Sequence, residues 1–297
     1  MSVLTIGSLN LDHVLNVDHL VNPGETLAAD SLATTAGGKG LNQSLAAVRA
    51  GASVLHAGAV GSAGVVLKDL LAENGCDVHL VDEVDVGQGC AFIQVDSHTG
   101  ENAIVLFAGS NHALTEQRVD EILDCASLGD VVLLQNEVSC VTYALASCAK
   151  RGTPCIFNPA PMTEDIVAAD LSAVSWLVVN EVEAAQLTGE SEPDAVWAKV
   201  AERWPNASLL LTRGEQGSVA YAGGERYLQS AFPVRAVDTT GAGDTFLGYF
   251  VAGLEEGLSV SRCLSLAACA SAICVTRAGA AQAIPWRDEV EAMLDKR

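Results

Sequence analysis

The stretch Val237-Asp238-Thr239-Thr240-Gly241-Ala242-Gly243-Asp244-Thr245-Phe246 decides the fold. Its two glycines, followed directly by Asp244, stand just before a segment of small residues. That segment, residues 246–254, is apolar and is expected to be helical. The first N–H groups of a helix have no intrahelical partner, so a glycine-rich helix start lets an anion approach them closely. The stretch therefore predicts a phosphate-binding helix N-terminus, preceded by a short strand.

Asp244 lies directly after the two glycines of this predicted anion site. A carboxylate at this position would repel an anion, so its presence indicates a chemical role, as a base that takes a proton from a hydroxyl nucleophile. The alternative is a glycine-rich turn with an aspartate near the positive end of the helix dipole. The four residues from Gly241 to Asp244 do not by themselves separate these two interpretations.

Length and composition exclude several classes of protein. A chain of 297 residues is long enough for one large α/β domain, with or without a small appendage. Its nine cysteines include no C-x-x-C pair, which favours free thiols in a reducing compartment. No apolar run or basic leader indicates a membrane partner, so we expect a soluble cytoplasmic protein. The net charge of −21 disfavours binding to nucleic acid.

Two polar residues follow the first predicted strand, residues 3–6. Asn10 and Asp12 are two positions apart, so their side chains point the same way if the chain stays extended. Such a pair suits the recognition of hydroxyl groups. A surface turn stabilised by these side chains is an equally good interpretation of the residues alone.

A second glycine-rich helix entrance is Ala36-Gly37-Gly38-Lys39-Gly40-Leu41-Asn42-Gln43, with a helix stop at Gly51. It lacks the spacing of a Walker A loop. A lone lysine between glycines, with Asn42 three residues later, favours a clamp for a polyol or a phosphate. The alternative is a lysine that is simply exposed to solvent.

Two segments predict a small β-sheet apart from the main body. Residues 13–35 alternate between apolar and polar positions, and residues 90–95 and 102–107 flank a polar turn. We expect the sheet to cover one mouth of the main domain. The predicted division is a main domain of residues 1–12, 36–89 and 108–297, and a lid of residues 13–35 and 90–107.

From residue 113 onward, predicted helices alternate with buried strands, which indicates a mostly parallel sheet with right-handed crossovers. Ligands of such sheets bind at the carboxyl ends of the strands. Four of these ends carry polar residues and predict a lined cleft. They are Gln135-Asn136-Glu137, Asn158-Pro159-Ala160-Pro161, Asn180-Glu181-Val182-Glu183 and Thr212-Arg213-Gly214-Glu215-Gln216-Gly217.

Together these motifs resemble, in order and approximate spacing, those of the ribokinase family of ATP-dependent sugar kinases, also called PfkB-type carbohydrate kinases. The motifs are residues 23–26, 37–43, 158–161, 180–183, 212–214 and 238–246. The resemblance implies a ribokinase-like, doubly wound α/β fold: a mostly parallel central sheet flanked by helices, with a small β lid. It also implies a homodimer paired through the lids.

The resemblance implies roles for individual positions. Those matching the sugar site are Asn10, Asp12, Gly38, Lys39, Asn42 and Glu137, with Asp244 as both sugar ligand and base. Those matching the ATP site are Asn180, Thr212, Arg213, Gly214, Glu215, Gly217, Gly241, Ala242 and Gly243. Glu183 is implied to organise Mg²⁺ through water. An activating K⁺ is implied at Asp238, Thr240, Cys274, Arg277, Gly279 and Ala283.

Two positions depart from the family pattern. Ala268 stands where relatives often have His or Asn near the adenine, which leaves nucleotide preference open. Ala283 stands where many relatives have a serine ligand to K⁺, which implies a weaker cation site. The expected reaction is phosphorylation of the primary hydroxyl of a furanose, with ribose favoured by Asn10, Asp12 and Asn42.

Three other functions remain as alternatives at this point. The first is another sugar or nucleoside kinase of the family, acting on deoxyribose, fructose or 2-keto-3-deoxygluconate. The second is a sugar or nucleotide sensor without catalytic activity, which the intact Gly241, Gly243 and Asp244 disfavour. The third is a nicotinamide oxidoreductase, which the spacing of Gly58, Gly61 and Gly64 does not support.

Overall fold

A computed structural model describes residues 2–296, in which thirteen strands and ten α-helices form two separate sheets and their covering layers. The strands are β1 (Val3–Ile6), β2 (Asn10–Val17), β3 (Ser31–Gly37), β4 (Val54–Val60), β5 (Asp77–Glu83), β6 (Cys90–Asp96), β7 (Asn102–Phe107), β8 (Val131–Gln135), β9 (Cys155–Asn158), β10 (Val174–Asn180), β11 (Ser208–Thr212), β12 (Ser218–Ala222) and β13 (Glu225–Gln229). The helices are α1 (Lys39–Arg49), α2 (Val65–Glu73), α3 (Glu116–Leu123), α4 (Val141–Arg151), α5 (Glu164–Ala168), α6 (Glu181–Thr188), α7 (Pro193–Arg203), α8 (Ala242–Glu255), α9 (Val260–Cys274) and α10 (Arg287–Leu294).

The larger sheet has nine strands in the order β13-β12-β11-β10-β9-β8-β1-β4-β5. The strands from β11 to β5 are all parallel, and β12 and β13 add an antiparallel edge. Strand order reverses beside β1, where the chain first winds towards β5 and later towards β13. Ligands of open α/β sheets bind at such a reversal, outside the carboxyl ends of the strands. The predicted mostly parallel α/β fold is confirmed.

Apolar runs explain why the inner strands are buried on both faces. All five residues of β8 are buried, as are all four of β9, in agreement with the strands predicted there. One face packs against α1, α8 and α9, and the other against α3, α4 and α7. Parallel strands covered on both faces are continuous apolar runs, which is why the sequence pattern predicts them well. Most residues of the edge strand β13 are exposed or half-buried and polar, so that strand lacks this signal.

The smaller sheet has four strands in the order β3-β2-β6-β7. Its β6 and β7 pair antiparallel around the turn at residues 97–101, which confirms the predicted hairpin. β2 begins at Asn10, so Asn10 and Asp12 lie on the first strand of the small sheet, whereas the predicted division placed residues 1–12 in the main domain. That division, and the role of the small sheet as a lid, stay predictions.

The deciding stretch forms the start of α8. Gly241 is its N-cap, with a positive φ of 73° that favours glycine. The preceding residues 230–240 are irregular rather than the short strand predicted there, and β13 ends at Gln229. Of the helices formed by residues 2–296, none has the length and apolar character needed to cross a membrane.

Candidate active site

Asp244 lies in the first turn of α8, where it is 9% exposed and receives hydrogen bonds from two amides of α1. Gln43 Nε2 donates to Asp244 Oδ1 at 2.8 Å, and Asn42 Nδ2 donates to Oδ2 at 3.3 Å. The two glycine-rich helix entrances of the sequence therefore meet at one carboxylate. Both predicted anion-binding segments lie at the same edge of the sheet.

A cavity of about 240 Å³ lies at this meeting point. Lys39 lines it together with Asp244, and that carboxylate raises the pKa of Lys39 against the opposing effect of burial, helped by Glu137 and Glu183. The ammonium group is therefore held charged among three carboxylates. The complete lining is Lys39, Asn158, Val178, Val179, Asn180, Glu183, Thr212, Gly241, Gly243, Asp244 and Leu247.

Glu137 contacts Lys39, which lines this cavity, and it also lines a second cavity together with Asn10, another residue predicted to bind the sugar. Its Oε2 accepts hydrogen bonds from Ser8 Oγ at 2.5 Å and from the backbone N–H of Lys39 at 2.9 Å. Burial raises the pKa of Glu137, although Lys39 and Ser8 oppose that rise. The second cavity has a volume of about 480 Å³.

Asn10 and Asp12 lie two positions apart on β2, and Asp12 is close to Glu137. Burial raises the pKa of Asp12 to about 6, with smaller contributions from the Glu137 and Asp244 carboxylates. The Oδ1 atom of Asp12 is buried without a hydrogen-bond partner in the structure. Gly37 makes room for this carboxylate, since a Cβ there would lie 1.9 Å from Asp12 Oδ2. A buried carboxylate oxygen without a partner is free to accept a hydrogen bond from a ligand hydroxyl group.

A third cavity, of about 560 Å³, continues from the first because both include Thr212 and Gly243. Its lining combines residues of the 212–217 loop with apolar side chains that include Phe232, Val234 and Phe246. Of the predicted nucleotide residues, those that line it are Thr212, Gly214, Glu215, Gly217, Ala242 and Gly243, and Ala268 lines it as well.

Of the other residues predicted for the nucleotide site, Gly241 and Asn180 line the 240 Å³ cavity, and Asn180 and Arg213 also make contacts within the protein. Asn180 and Glu183 form a capping box at the start of α6, in which Asn180 Oδ1 accepts from the Glu183 N–H at 2.8 Å. Glu183 in turn accepts from the Asn180 N–H at 3.0 Å, and burial raises the pKa of Glu183. The Arg213 guanidinium pairs with Glu181 at 3.6 Å and donates to Gln216 Oε1, so it lies along its own loop.

Two of the residues predicted for K⁺, Thr240 and Gly279, form hydrogen bonds with Asp238. Its Oδ1 accepts from the N–H and hydroxyl groups of Thr240 at 2.9 and 2.7 Å, and its Oδ2 accepts from the Gly279 N–H at 2.8 Å. Burial opposes ionisation here, but these hydrogen bonds lower the pKa of Asp238. Cys274 and Ala283 are fully buried, and Arg277 pairs with Glu289.

Within residues 2–296, no three His, Cys, Asp or Glu side chains are grouped so as to hold a metal ion. A cation beside Asp238 would therefore depend on carbonyl and carboxylate oxygens, the donors that suit hard ions.

Four contact residues were not predicted from the sequence. Ser8 holds Glu137, Asn111 Nδ2 donates to Asn10 Oδ1 at 2.6 Å, and Gln135 Nε2 donates to Gln43 Oε1 at 2.7 Å. Gln43 and Gln135 belong to motifs that the sequence analysis singles out. The sequence therefore predicts that they lie near the site, but it does not predict their hydrogen-bond partners. Asn111 follows β7 in a short turn and carries no sequence signal.

Comparison with known proteins identifies the class that this fold and site define. The sequence profile of the pfkB family carbohydrate kinases matches residues 1–287, and the chain belongs to this family. It is 36% identical over 304 residues to the ribokinase of Haemophilus influenzae, an alignment that covers 99% of this chain and 98% of that protein.

Two solved structures extend the comparison. The ribokinase of Thermotoga maritima is 33% identical with a TM-score of 0.88, and the alignment covers 99% of each chain. The ribokinase of Arabidopsis thaliana, solved with ribose and ATP, is 30% identical with a TM-score of 0.86, over 99% of this chain and 98% of that one. The chain is thus similar over its whole length to ribokinases.

Proposed function

We propose that this chain is an ATP-dependent kinase that phosphorylates the 5-hydroxyl group of D-ribose. The observation that carries the proposal is the position of Asp244, which accepts hydrogen bonds from Asn42 and Gln43 and lines a cavity that continues into a cleft large enough for a nucleotide. The ribose and ATP bound to the similar Arabidopsis thaliana enzyme support the same pair of substrates.

The sugar would bind between β2 and the start of α1. Asp12 and Glu137 would accept hydrogen bonds from ribose hydroxyl groups, because Asp12 Oδ1 has no partner and Glu137 uses Oε2 for its two protein contacts. Asn42 Oδ1 is also buried without a partner and would accept another hydroxyl. Asn10 and Gly38 complete this side of the site, and Gly38 needs glycine because its φ is 91°.

ATP would occupy the cleft that the 212–217 loop helps to line. Gly214 and Gly217 have positive φ values of 50° and 86°, and such glycine-rich loops let backbone groups approach phosphates. The N-terminus of α8, with Gly241, Ala242 and Gly243, would receive the γ-phosphate.

In the proposed reaction, one oxygen of Asp244 takes the proton of the 5-hydroxyl group as its oxygen attacks the γ-phosphorus. The bond between that phosphorus and the bridging oxygen of ADP breaks in line with the attack. The α8 N–H groups and Lys39 would stabilise the charge that develops on the transferred group. Alignment and electrostatic stabilisation supply most of the rate in such reactions.

The metal ions belong to the proposal as well. Glu183 would hold Mg²⁺ through water, since both of its carboxylate oxygens already accept hydrogen bonds from Asn180 and it lines the same cavity as Asp244. Bound Mg²⁺ supplies neutralising charge to the phosphates. The oxygen donors around Asp238 fit K⁺, which would stabilise the loop that precedes α8.

The small sheet would serve as a lid and as a dimer contact. All six residues of β7 are exposed, and Ile104, Val105 and Leu106 present apolar side chains there. Exposed edge strands with apolar faces are normally covered, here by the same strand of a second copy. A cytoplasmic location, expected from the cysteine pattern, completes the proposal.

The test is ADP release, measured with a panel of sugars and Mg²⁺·ATP, with and without K⁺. Ribose is expected to be the preferred acceptor, and the product should be the 5-phosphate. Preference for deoxyribose, fructose or 2-keto-3-deoxygluconate would favour the alternative family kinases. Ribose binding without phosphorylation would favour a sensor.

The control variant for chemistry is Asp244→Asn. It should fold and bind ribose with near-normal affinity, while kcat falls by about 10²- to 10⁴-fold because the base is lost. Turnover close to the wild-type rate would refute the role of Asp244.

A further inference from the structure

Gln43 is a fully buried amide on the helix that carries Lys39 and Asn42. It makes three hydrogen bonds. Its Nε2 donates to Asp244 Oδ1 at 2.8 Å and to Asn158 Oδ1 at 3.3 Å, and its Oε1 accepts from Gln135 Nε2 at 2.7 Å. Every hydrogen-bonding group of this side-chain amide is therefore directed at a partner from another element.

The partners of Gln43 fix which end of its amide faces Asp244. Gln43 Oε1 points towards β8 and accepts from the Nε2 atom of Gln135, whose own Oε1 is buried without a partner. Asn158 uses its own Nδ2 to donate to the Val178 carbonyl at 3.0 Å, so its oxygen is left for Gln43 Nε2. The NH₂ group of Gln43 is thereby held towards Asp244, in the orientation that a carboxylate requires.

This arrangement distinguishes the two oxygens of Asp244. Oδ1 accepts the short bond from Gln43, whereas Oδ2 has only the 3.3 Å contact with Asn42. Oδ2 is therefore the oxygen better able to take a proton. Gln43 does not line any of the three cavities described above, so it would reach the reaction only through Asp244.

We propose that Gln43 is a positioning residue, which holds Asp244 by Oδ1 so that Oδ2 faces the sugar hydroxyl, and that Gln135 acts through Gln43 by fixing its amide. This inference rests on the proposed kinase function. A side chain that fixes a general base matters most for kcat, because a displacement of about 1 Å can cost about 100-fold in rate. It matters little for the sugar affinity, since all hydrogen-bonding groups of the Gln43 amide already have protein partners.

The test combines Gln43→Met, Gln135→Met and the double variant, each assayed for kcat and for the KM of ribose. Methionine keeps the length of the side chain and removes the amide. Gln43→Met is expected to lower kcat by about 10- to 100-fold and to change KM by less than about threefold. Gln135→Met is expected to lower kcat by a smaller factor with the same small change in KM.

The double variant separates positioning from general destabilisation. If Gln135 acts only through Gln43, removing both amides lowers kcat no further than Gln43→Met alone, because contacting residues of one network are not additive. Independent structural effects would instead multiply. A multiplied loss, or a change in KM at constant kcat, overturns the proposal.

Ser44→Ala is the matched control on the same helix. Ser44 is also fully buried and polar, but its hydroxyl bonds to His56 Nδ1 at 2.8 Å and not to the Asp244 network. It should lose stability on thermal unfolding and keep kcat. If Gln43→Met does not fold, Gln135→Met still tests the proposal, because it leaves Gln43 in place. A kcat of Gln135→Met within twofold of the wild-type value would then overturn the proposal.

Failure of this inference is distinguishable from failure of the proposed function. If wild-type protein phosphorylates no sugar, the proposed function is wrong. If wild-type protein is active and Gln43→Met retains kcat within twofold, only the positioning role is wrong.

Discussion

Gly248 of α8 packs against Ala46 of α1 so closely that a Cβ added to Gly248 would lie 2.4 Å from the Ala46 Cβ and 2.6 Å from the Gln43 carbonyl oxygen. Gly248 is four residues after Asp244, which is about one helical turn along the same face. The absence of a side chain at Gly248 therefore sets the distance at which Gln43 and Asn42 reach Asp244.

Gly248→Ala is expected to separate α1 from α8 and to lower both stability and kcat. Crowding of a packed helix contact costs about 1–3 kcal/mol, and the displaced helix would lengthen the Gln43–Asp244 hydrogen bond. Thermal unfolding and steady-state kinetics measure the two effects. The matched control is Gly253→Ala on the same helix, which crowds Cys263 Sγ at 2.8 Å on α9 instead. Gly253→Ala should lose stability and keep kcat, and equal losses of kcat in both variants would contradict the prediction.

Structural features that depend on residues close together in the chain were predictable from the sequence. Residues 241–244 predict a helix start with a carboxylate, and the buried runs of β8 and β9 predict parallel strands, because each signal depends on neighbours along the chain. The hydrogen bond between Gln43 and Asp244 spans 201 positions, and that between Asn111 and Asn10 spans 101. Such contacts depend on how the helices pack, for which the sequence carries only indirect signals such as Gly248.

Substitution of Asp12 should stabilise the protein at neutral pH. Its pKa is raised from 3.8 to about 6 by burial and by the Glu137 and Asp244 carboxylates, so the folded state binds more protons than the unfolded state between these values. Stability therefore falls as pH rises through that window, and ionised Asp12 destabilises the fold above it. Asp12→Asn should be more stable than wild type by on the order of 2 kcal/mol at pH 7.5, with no difference below pH about 4.

Denaturant unfolding at the two pH values measures this effect. Asp69→Asn is the control, because Asp69 is an exposed residue of α2 and the substitution removes the same charge. It should change stability little at either pH. Asp12→Asn should also raise the KM of ribose, since an amide accepts hydroxyl hydrogen bonds less strongly than a carboxylate. Equal stability of Asp12→Asn and wild type at pH 7.5 would count against the burial effect.

Nucleotide selectivity is expected to be weak. Apolar residues that line the 560 Å³ cleft include Phe246, Ala268, Ala272 and Val275, and the Ser271 hydroxyl of the same lining already donates to the Ala242 carbonyl at 3.0 Å. Apolar pockets distinguish related ligands by about 10- to 200-fold, far less than sites with fixed hydrogen bonds. GTP should therefore support phosphorylation with kcat/KM within about 100-fold of that for ATP.

Ala268→Asn tests the cause, because it adds a hydrogen-bonding group to the apolar lining of the cleft. It should change the ratio of kcat/KM for ATP and GTP, whereas Ser271→Ala should leave that ratio unchanged. A wild-type preference for ATP above about 10⁴-fold would show that polar groups of the irregular segment 230–236 recognise the base.

Activation by K⁺ should strengthen when an oxygen is supplied at position 283. Ala283 is fully buried in the segment after Gly279, whose N–H bonds to Asp238 Oδ2 at 2.8 Å, and its methyl group offers no ligand to a cation. A hydroxyl oxygen is a donor that suits hard ions. Ala283→Ser should lower the K⁺ concentration for half-maximal activity by about three- to tenfold, equivalent to about 0.7–1.4 kcal/mol, without changing kcat at saturating K⁺.

Ala281→Ser is the matched control, since Ala281 is 3% exposed and packs in the core with α9, so it should cost stability without altering the K⁺ response. An unchanged half-maximal K⁺ concentration in Ala283→Ser would place the cation away from the segments at Asp238 and Gly279, which are joined by a hydrogen bond.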